Sequence, residues 1–219
     1  MQRLEDELQA CKQRLLAELP ATVRERYYAA LAEIDASLVL ARALAVGQQA
    51  PDWTLDDDQG RPVRLRDALA RGPVILHFFR GGWCPYCNIA LRAFQPLLPR
   101  FHQLGASLYA ISPQLPEQNR AQATQCELYY PLLSDVGNAV AQAYGVSFSL
   151  PASMQGLMQG FGIDLAHFNG DASWQLPMPA CYLLAQDGRV QTRFLNADYS
   201  RRVEPLDMLF ALKTMVAPA

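Results

Sequence analysis

Two cysteines separated by two residues, Cys84 and Cys87, stand in the run Trp83-Cys84-Pro85-Tyr86-Cys87, directly after an apolar stretch and the pair Gly81-Gly82. At that spacing a cysteine pair either exchanges electrons or binds a metal. A closed zinc site needs four ligands, and no second Cys-x-x-Cys or Cys-x-x-His accompanies this pair. The expectation is therefore redox chemistry with no metal. Such chemistry needs a sulfur ionised near neutral pH, because the thiolate is the nucleophile. Pro85 suits the first position of a helix, where its missing N–H costs nothing. That puts Cys84 at the N-cap or first position, where free N–H groups and the helix dipole favour an anion. Thiols placed this way in Cys-x-x-Cys motifs have their pKa lowered from about 8.5 to about 3.5–7.5, and a shift of ~2 units favours the thiolate by roughly 2.7 kcal/mol. Cys84 is predicted to be the nucleophile and Cys87, one turn further in, its resolving partner.

Two reactions follow from a thiolate so placed. It can attack a disulfide sulfur, giving a mixed disulfide that Cys87 resolves. It can instead attack the terminal oxygen of a peroxide and become a sulfenic acid with which Cys87 condenses. The second route needs donors aimed at the oxygen that acquires charge. Arg80, four residues ahead of Cys84 at the end of a strand, is the candidate donor. Trp83 beside the nucleophile and Pro179 in Met178-Pro179 are candidate substrate contacts, and a proline ahead of a strand edge can be cis. His77 reads as a buried, satisfied side chain, and His102 and His167 have no partner at fixed spacing. Cys126 and Cys181 are reserve resolving cysteines, while Cys11 lies on an apolar helix face as a small hydrophobe.

The elements that must hold this turn can be read outward from it. Val74 to Phe79 is a continuous apolar run, the pattern of a strand buried on both faces. Helical spacing after Pro85 predicts one helix to about Leu104. Ala106 to Ser112 and Tyr130 to Ser134 are further strands, separated by a helix over 116–128 and followed by one over 137–144. This alternation implies parallel strands in a layered α/β domain. Residues 145–175 show little period and five glycines, the mark of a long functional or mobile loop. Ala180 to Gln186 and Arg189 to Leu195 flank Asp187-Gly188 as a hairpin, and Leu206 to Val216 closes the chain as a helix. Ahead of the core, Trp53 to Leu65 is two short extended segments around a turn at Asp57 to Gly60, with Asp56, Asp57 and Asp58 read as solvated, and Leu65 to Ala70 is a short helix. Residues 2–44 read as two helices broken at Pro20. One carries the stripe Leu4, Leu8, Cys11 and Leu15. The other carries Tyr27, Leu31, Ile34 and Leu38 and opens on a capping-box pattern at Thr22 to Glu25. The expected division is a helical extension over 1–46 and a main domain over 47–219.

Composition narrows the partners. A formal charge of −2 on 219 residues makes no electrostatic case for nucleic acid or an anionic membrane. No stretch approaches the ~20 apolar residues of a membrane span, and the first residues, charged from the third onward, lack a signal-peptide core. Five cysteines, an odd number, suit a reducing compartment rather than a disulfide framework. A cytoplasmic protein is expected, and the amphipathic amino-terminal helices suggest a homodimer.

Several segments together resemble a known family. Gly47-x-x-Ala50-Pro51-Asp52-Trp53-x-Leu55, the Gly60 turn and the strand leading to Cys84 are similar to the amino-terminal half of the AhpC/TSA family, the peroxiredoxins. FFRGGWCPYCNIALRAF (78–94), LPMPACYLLAQDG (176–188) and NADYSRR (196–202) resemble the peroxiredoxin-like branch whose active site reads Arg-Gly-x-Trp-Cys-Pro-Tyr-Cys. The resemblance covers residues 47 to about 212. It implies a thioredoxin-like fold, a central mixed sheet flanked by helices, here with the amino-terminal helical extension. It further implies Cys84 as the peroxidatic cysteine, a hydroperoxide substrate, thioredoxin or glutaredoxin as reductant, and no organic cofactor. Gly81 stands where the family carries threonine or serine, and Pro179 matches the cis-proline of thioredoxins, leaving Arg80, Arg201 or Arg202 to supply donors. The first expectation is thus a thiol peroxidase forming a Cys84–Cys87 disulfide. A disulfide oxidoreductase is the second, and a redox-sensing interaction module the third.

Overall fold

The computed structural model describes residues 3–34 and 36–217; residue 2, where the first helix was expected to begin, lies outside them. Three helices come first, α1 (Leu4–Glu18), α2 (Ala21–Ala32) and α3 (Ala36–Arg42), so the break at Pro20 is joined by a second one ahead of Ala36. The capping box does not form. Pro20 itself occupies the N-cap and α2 starts at Ala21, which places Thr22 inside the first turn rather than ahead of it. Next come β1 (Thr54–Asp57), β2 (Pro62–Arg64), α4 (Leu65–Leu69) and β3 (Val74–Phe78). The long helix expected after Pro85 is divided into α5 (Pro85–Phe94), a 3-10 turn (Gln95–Leu97) and α6 (Leu98–Gln103). Pro96 and Pro99 are the cause, since each removes a helical N–H and crowds the preceding turn.

The rest of the α/β order is β4 (Ser107–Ser112), α7 (Pro116–Gln125), β5 (Leu132–Ser134) and α8 (Ala139–Ala143). The stretch expected to be irregular is in fact a small ordered unit. It contains β6 (Ser147–Ser149), α9 (Ala152–Gly160), α10 (Leu165–Asn169) and β7 (Gln175–Pro177), with β6 and β7 paired antiparallel. Its strands, Ser-Phe-Ser and Gln-Leu-Pro, are three residues long, too short to show a period. The hairpin β8 (Ala180–Leu184) and β9 (Val190–Leu195) and the helix α11 (Pro205–Val216) complete the chain.

The seven-stranded sheet runs β2-β1-β5-β4-β3-β8-β9. The inner three strands, β3, β4 and β5, are parallel, and the outer pairings are antiparallel. The sheet is therefore mixed, as the family resemblance implied. β3 is the axis of the molecule, and all five of its residues are buried. Its side chains alternate between two cores. Val74, Leu76 and Phe78 join α4 and α8 on one face, while Ile75 and the following Phe79 join α5, α6, α11 and α1 on the other. A third apolar cluster links α2 to α9 and α10.

Two expectations change at the near edge of the sheet. Asp57 and Asp58 are buried rather than solvated. Asp57 accepts hydrogen bonds from Gln59 N at 2.9 Å and Arg61 N at 2.8 Å, so the turn satisfies the carboxylate from its own backbone. Asp58 instead accepts from Leu132 N at 3.4 Å, tying the turn to β5. Among the described residues no group of three or more metal-ligating side chains converges, and no helix is long and apolar enough to cross a membrane.

Candidate active site

Cys84 is the N-cap of α5, with an extended backbone and Pro85 at the first helical position. Its carbonyl accepts the first helical hydrogen bonds, from Cys87 N at 3.0 Å and Asn88 N at 3.2 Å. Both sulfurs have no exposed surface, and all five cysteines are free thiols. Two arginines approach the pair from opposite ends of the sequence. Arg80 Nη2 lies 3.4 Å from Cys84 Sγ, and Arg202 Nη2 lies 3.6 Å from Cys87 Sγ. Both arginines are buried, and neither is ion-paired with a carboxylate among the described residues. A buried cation without a carboxylate is costly, which favours the anionic form of the sulfur beside it.

Burial alone would push the Cys84 thiol up. The hydrogen bond from the Cys87 thiol, the charges of Arg80 and Arg202 and the Arg80 hydrogen bond outweigh it, and Cys84 is held well below the ordinary thiol value. Cys87 is raised well above it, by burial first and then by its hydrogen bond to Cys84 and the negative charge there. The pair therefore ionises in a fixed order, Cys84 first, with Cys87 protonated and donating to it.

The guanidinium of Arg80 is held between rings. Its Cζ lies 4.0 Å from the centroid of Tyr199 and 5.0 Å from that of Trp83, cation–π contacts that steady a desolvated charge. Tyr199 is fixed in turn by a hydroxyl–hydroxyl hydrogen bond with Tyr27 of α2, and its carbonyl accepts from Arg202. Arg80 Nε and Trp83 Nε1 are buried without a hydrogen-bond partner.

The turn ahead of Cys84 is held by a ring of side-chain amides. Gly82 N donates to Gln114 Oε1 at 2.8 Å, and Gln114 Nε2 donates to Gln122 Oε1 at 2.9 Å. Gln122 Nε2 donates to Asn88 Oδ1 at 2.7 Å, and Asn88 Nδ2 returns to Gly82 O at 2.8 Å. Gly81 has φ +145°, and a Cβ there would meet Trp83 Nε1 at 2.5 Å. A threonine or serine at that position would displace the indole, a physical reason for the glycine.

The remaining candidates sit as follows. Pro179 is buried and the Met178–Pro179 peptide is trans, since the described residues hold no cis bond. Met178 rather than Pro179 reaches the cavity beside Arg80 and Trp83. Cys181 lies opposite His77 in the β3–β8 ladder, and burial raises its thiol. Cys126 caps α7 with Arg92 Nη1 at 3.8 Å. Neither is hydrogen-bonded to Cys84 or Cys87. His77 is buried, but its Nδ1 has no partner, so it is not the satisfied side chain expected. Of the two later arginines, Arg202 faces the thiols and Arg201 is exposed. Tyr199, Gln114, Gln122 and Asn88 carried no signal of their own in the sequence. Tyr199 and Asn88 fell inside quoted motifs, 196–202 and 78–94.

A model of the AhpC/TSA family matches residues 46–193, two thirds of the chain. The chain belongs to the AhpC/TSA family. Peroxiredoxin Q of Sedum lineare chloroplasts is 34% identical over 110 residues, covering 50% of this chain and 59% of that protein. The thiol-disulfide oxidoreductase ResA of Geobacillus thermodenitrificans is 35% identical over 105 residues, covering 48% of this chain and 59% of that one. The chain thus spans roughly half to three fifths of the length of these curated relatives. The crystal structure of peroxidoxin BcpB from Mycobacterium tuberculosis superposes with a TM-score of 0.62 at 23% identity, over 78% of this chain and 98% of that one. That likeness concerns the fold, which in this family member is thioredoxin-like. The helices α1 and α2 precede the matched residues.

Proposed function

We propose that the chain is a thiol-dependent peroxidase in which Cys84 is the peroxidatic and Cys87 the resolving cysteine. The observation that carries this is Cys84 Sγ, at a helix N-cap, hydrogen-bonded at 3.4 Å by a buried arginine. The thiolate attacks the terminal oxygen of a hydroperoxide. An S–O bond forms, the O–O bond breaks, and the departing oxygen leaves as water or an alcohol after taking a proton. Charge develops on that leaving oxygen, and Arg80 Nε and Trp83 Nε1, beside the dithiol, are N–H groups without a partner that could be turned to it. Cys87 Sγ then attacks the sulfenic sulfur, a disulfide forms and water departs. Arg202 beside Cys87 favours its thiolate at that second step, once the Cys84 charge is gone. A dithiol reductant of the thioredoxin or glutaredoxin type resets the pair by exchange.

The proposal includes a helical extension over 1–46 joined to a thioredoxin-like domain over 47–219, at work in the cytoplasm, where free thiols persist. A homodimer is part of the proposal and would use surfaces other than the α1 stripe, whose Leu4, Leu8 and Cys11 are buried within the chain. The second reading, a disulfide oxidoreductase, is favoured by the likeness to ResA. Both sulfurs are buried, so exchange with a protein thiol or disulfide, the resetting reductant's included, first needs the turn to open. Stopped-flow oxidation of the reduced protein by hydrogen peroxide, run beside an insulin-reduction assay, separates them. Oxidation no faster than that of a free thiol, together with rapid insulin reduction, would overturn the peroxidase reading.

A further inference from the structure

The Cys84 thiolate depends on Arg80, yet no ion pair with a carboxylate holds that arginine among the described residues. Its Nε has no hydrogen-bond partner, and its side chain borders a cavity of about 600 Å³. An arginine is a long chain with several free torsions. Keeping Nη2 at 3.4 Å from Cys84 Sγ, and out of that space, therefore needs a wall behind the guanidinium. Tyr199 is the nearer of the two rings that supply one, at 4.0 Å against 5.0 Å for Trp83. The Tyr199 ring is itself fixed at its tip and along its edge. Its hydroxyl shares a hydrogen bond with that of Tyr27 on α2, and Tyr86 packs edge-on with ring centroids 5.7 Å apart. The backbone around it is turned by Asp198, which accepts from Ser200 N at 2.9 Å and pairs with Lys12 of α1. Its carbonyl accepts from Arg202. One residue thus touches both arginines of the site, Arg80 through its ring and Arg202 through its backbone.

We propose that Tyr199 is a positioning residue for Arg80, and that Tyr27 of the amino-terminal extension holds Tyr199 to that task. The ring keeps the guanidinium against Cys84, by a cation–π contact that is strongest where the charge is desolvated. The Tyr27 hydroxyl keeps the ring from pivoting into the cavity. Both tyrosines lie outside residues 46–193, the part matched by the family, so the brace is this chain's addition to the matched region. It goes beyond the peroxidase reading, because a thiolate held in this way serves either reaction open to Cys84. It also separates the two sulfurs. Changing the Tyr199 side chain removes the wall behind Arg80 but leaves the carbonyl that binds Arg202, and with it the cation beside Cys87.

The test uses the full chain, reduced. Cys84 is titrated by its ultraviolet thiolate absorbance, with the Cys84→Ser protein subtracted, and stopped-flow with hydrogen peroxide follows sulfenic acid formation and then disulfide closure. Burial pushes Tyr27 up to about 12, so its hydroxyl stays protonated while Cys84 titrates. The other charged or titratable groups acting on Cys84 or feeling its charge are Arg202, Cys87, Tyr27, Tyr86 and Cys11, and Tyr199→Leu leaves all of them in place. That variant is expected to move the Cys84 titration up by roughly half to one pH unit and to slow sulfenic acid formation by roughly tenfold. Disulfide closure by Cys87 is expected to keep its parent rate. Tyr27→Phe and Tyr199→Phe retain both rings, and each is expected to slow sulfenic acid formation by about threefold. Combined, they slow it no further than either alone, since both remove the same hydrogen bond. This cycle stands even where Tyr199→Leu does not fold. An unchanged Cys84 titration in a folded Tyr199→Leu, equal slowing of both steps, or effects of the two phenylalanine substitutions that multiply overturns the proposal. Oxidation of the parent at the rate of a free thiol defeats the peroxidase reading instead, and the brace is then judged on the Cys84 titration alone.

Discussion

Arg80 and Arg202 bring two buried positive charges to one pair of sulfurs, and their removal has different consequences. Arg80→Met takes away the hydrogen bond and the nearest charge that hold Cys84 low. The ultraviolet thiolate absorbance of Cys84 is then expected to titrate at higher pH than in the parent, with peroxide oxidation slowed by roughly 10²–10³-fold, the usual loss of one oxyanion donor. Arg80→Lys does not rescue this fully, because a lysine ammonium cannot stack between Trp83 and Tyr199 as a planar guanidinium does. His77 offers a separate test. Burial, and then the Arg202 charge, lower its pKa from 6.5 to about 3. Between those values the unfolded chain binds a proton that the folded chain refuses, so stability is present above the unfolded pKa and lost as pH falls through the window. The loss is expected at up to about 1.4 kcal/mol per pH unit. Urea unfolding of the reduced protein from neutral pH down to mild acid measures it, and His77→Gln is expected to flatten the slope.

At the scale of elements, the turn between β3 and α5 is held from outside itself. Gln114→Leu leaves Gly82 N and Gln122 Oε1 without a partner, while Asn119 Oδ1 keeps the Ser112 hydroxyl. Each unpaired buried group costs ~1–3 kcal/mol, a loss to be read in the urea midpoint of the reduced protein, accompanied by slower oxidation as Trp83 and Cys84 lose their register. How far this was legible in the sequence follows from distance along the chain. Cys84, Cys87 and Arg80 lie within eight residues, and local spacing placed them. The order of strands around them was equally readable, from unbroken apolar runs. Gln114 became significant only because β3 and β4 are parallel neighbours, so that the loops leaving both strands emerge at one edge of the sheet. An isolated glutamine announces nothing before that pairing is known. The unit over 145–177 escaped for the opposite reason. Its strands are too short for periodicity, although Met154, Leu157 and Met158 in α9 already had helical spacing.

At the scale of the molecule, α1 is built into the same apolar cluster as the dithiol. Its first two N–H groups, Leu4 N and Glu5 N, donate to Glu204 at 3.2 and 3.0 Å, and Lys12 pairs with Asp198. Both carboxylates belong to the loop that carries Tyr199 and Arg202. The extension and the main domain are therefore expected to unfold together. Leu8→Ala, at a side chain 3% exposed, is expected to cost the whole protein ~2–5 kcal/mol in a single urea transition; an early separate transition of the amino-terminal helices would contradict that. The complete burial of both sulfurs has one more consequence. A dithiol sealed in this way is sheltered from soft metal ions and chance electrophiles that would poison an open one. In exchange, on the proposed peroxidase reading a peroxide must wait for the wall around Cys84 to open, so the oxidation rate is expected to level off at high peroxide, the plateau being the opening frequency itself.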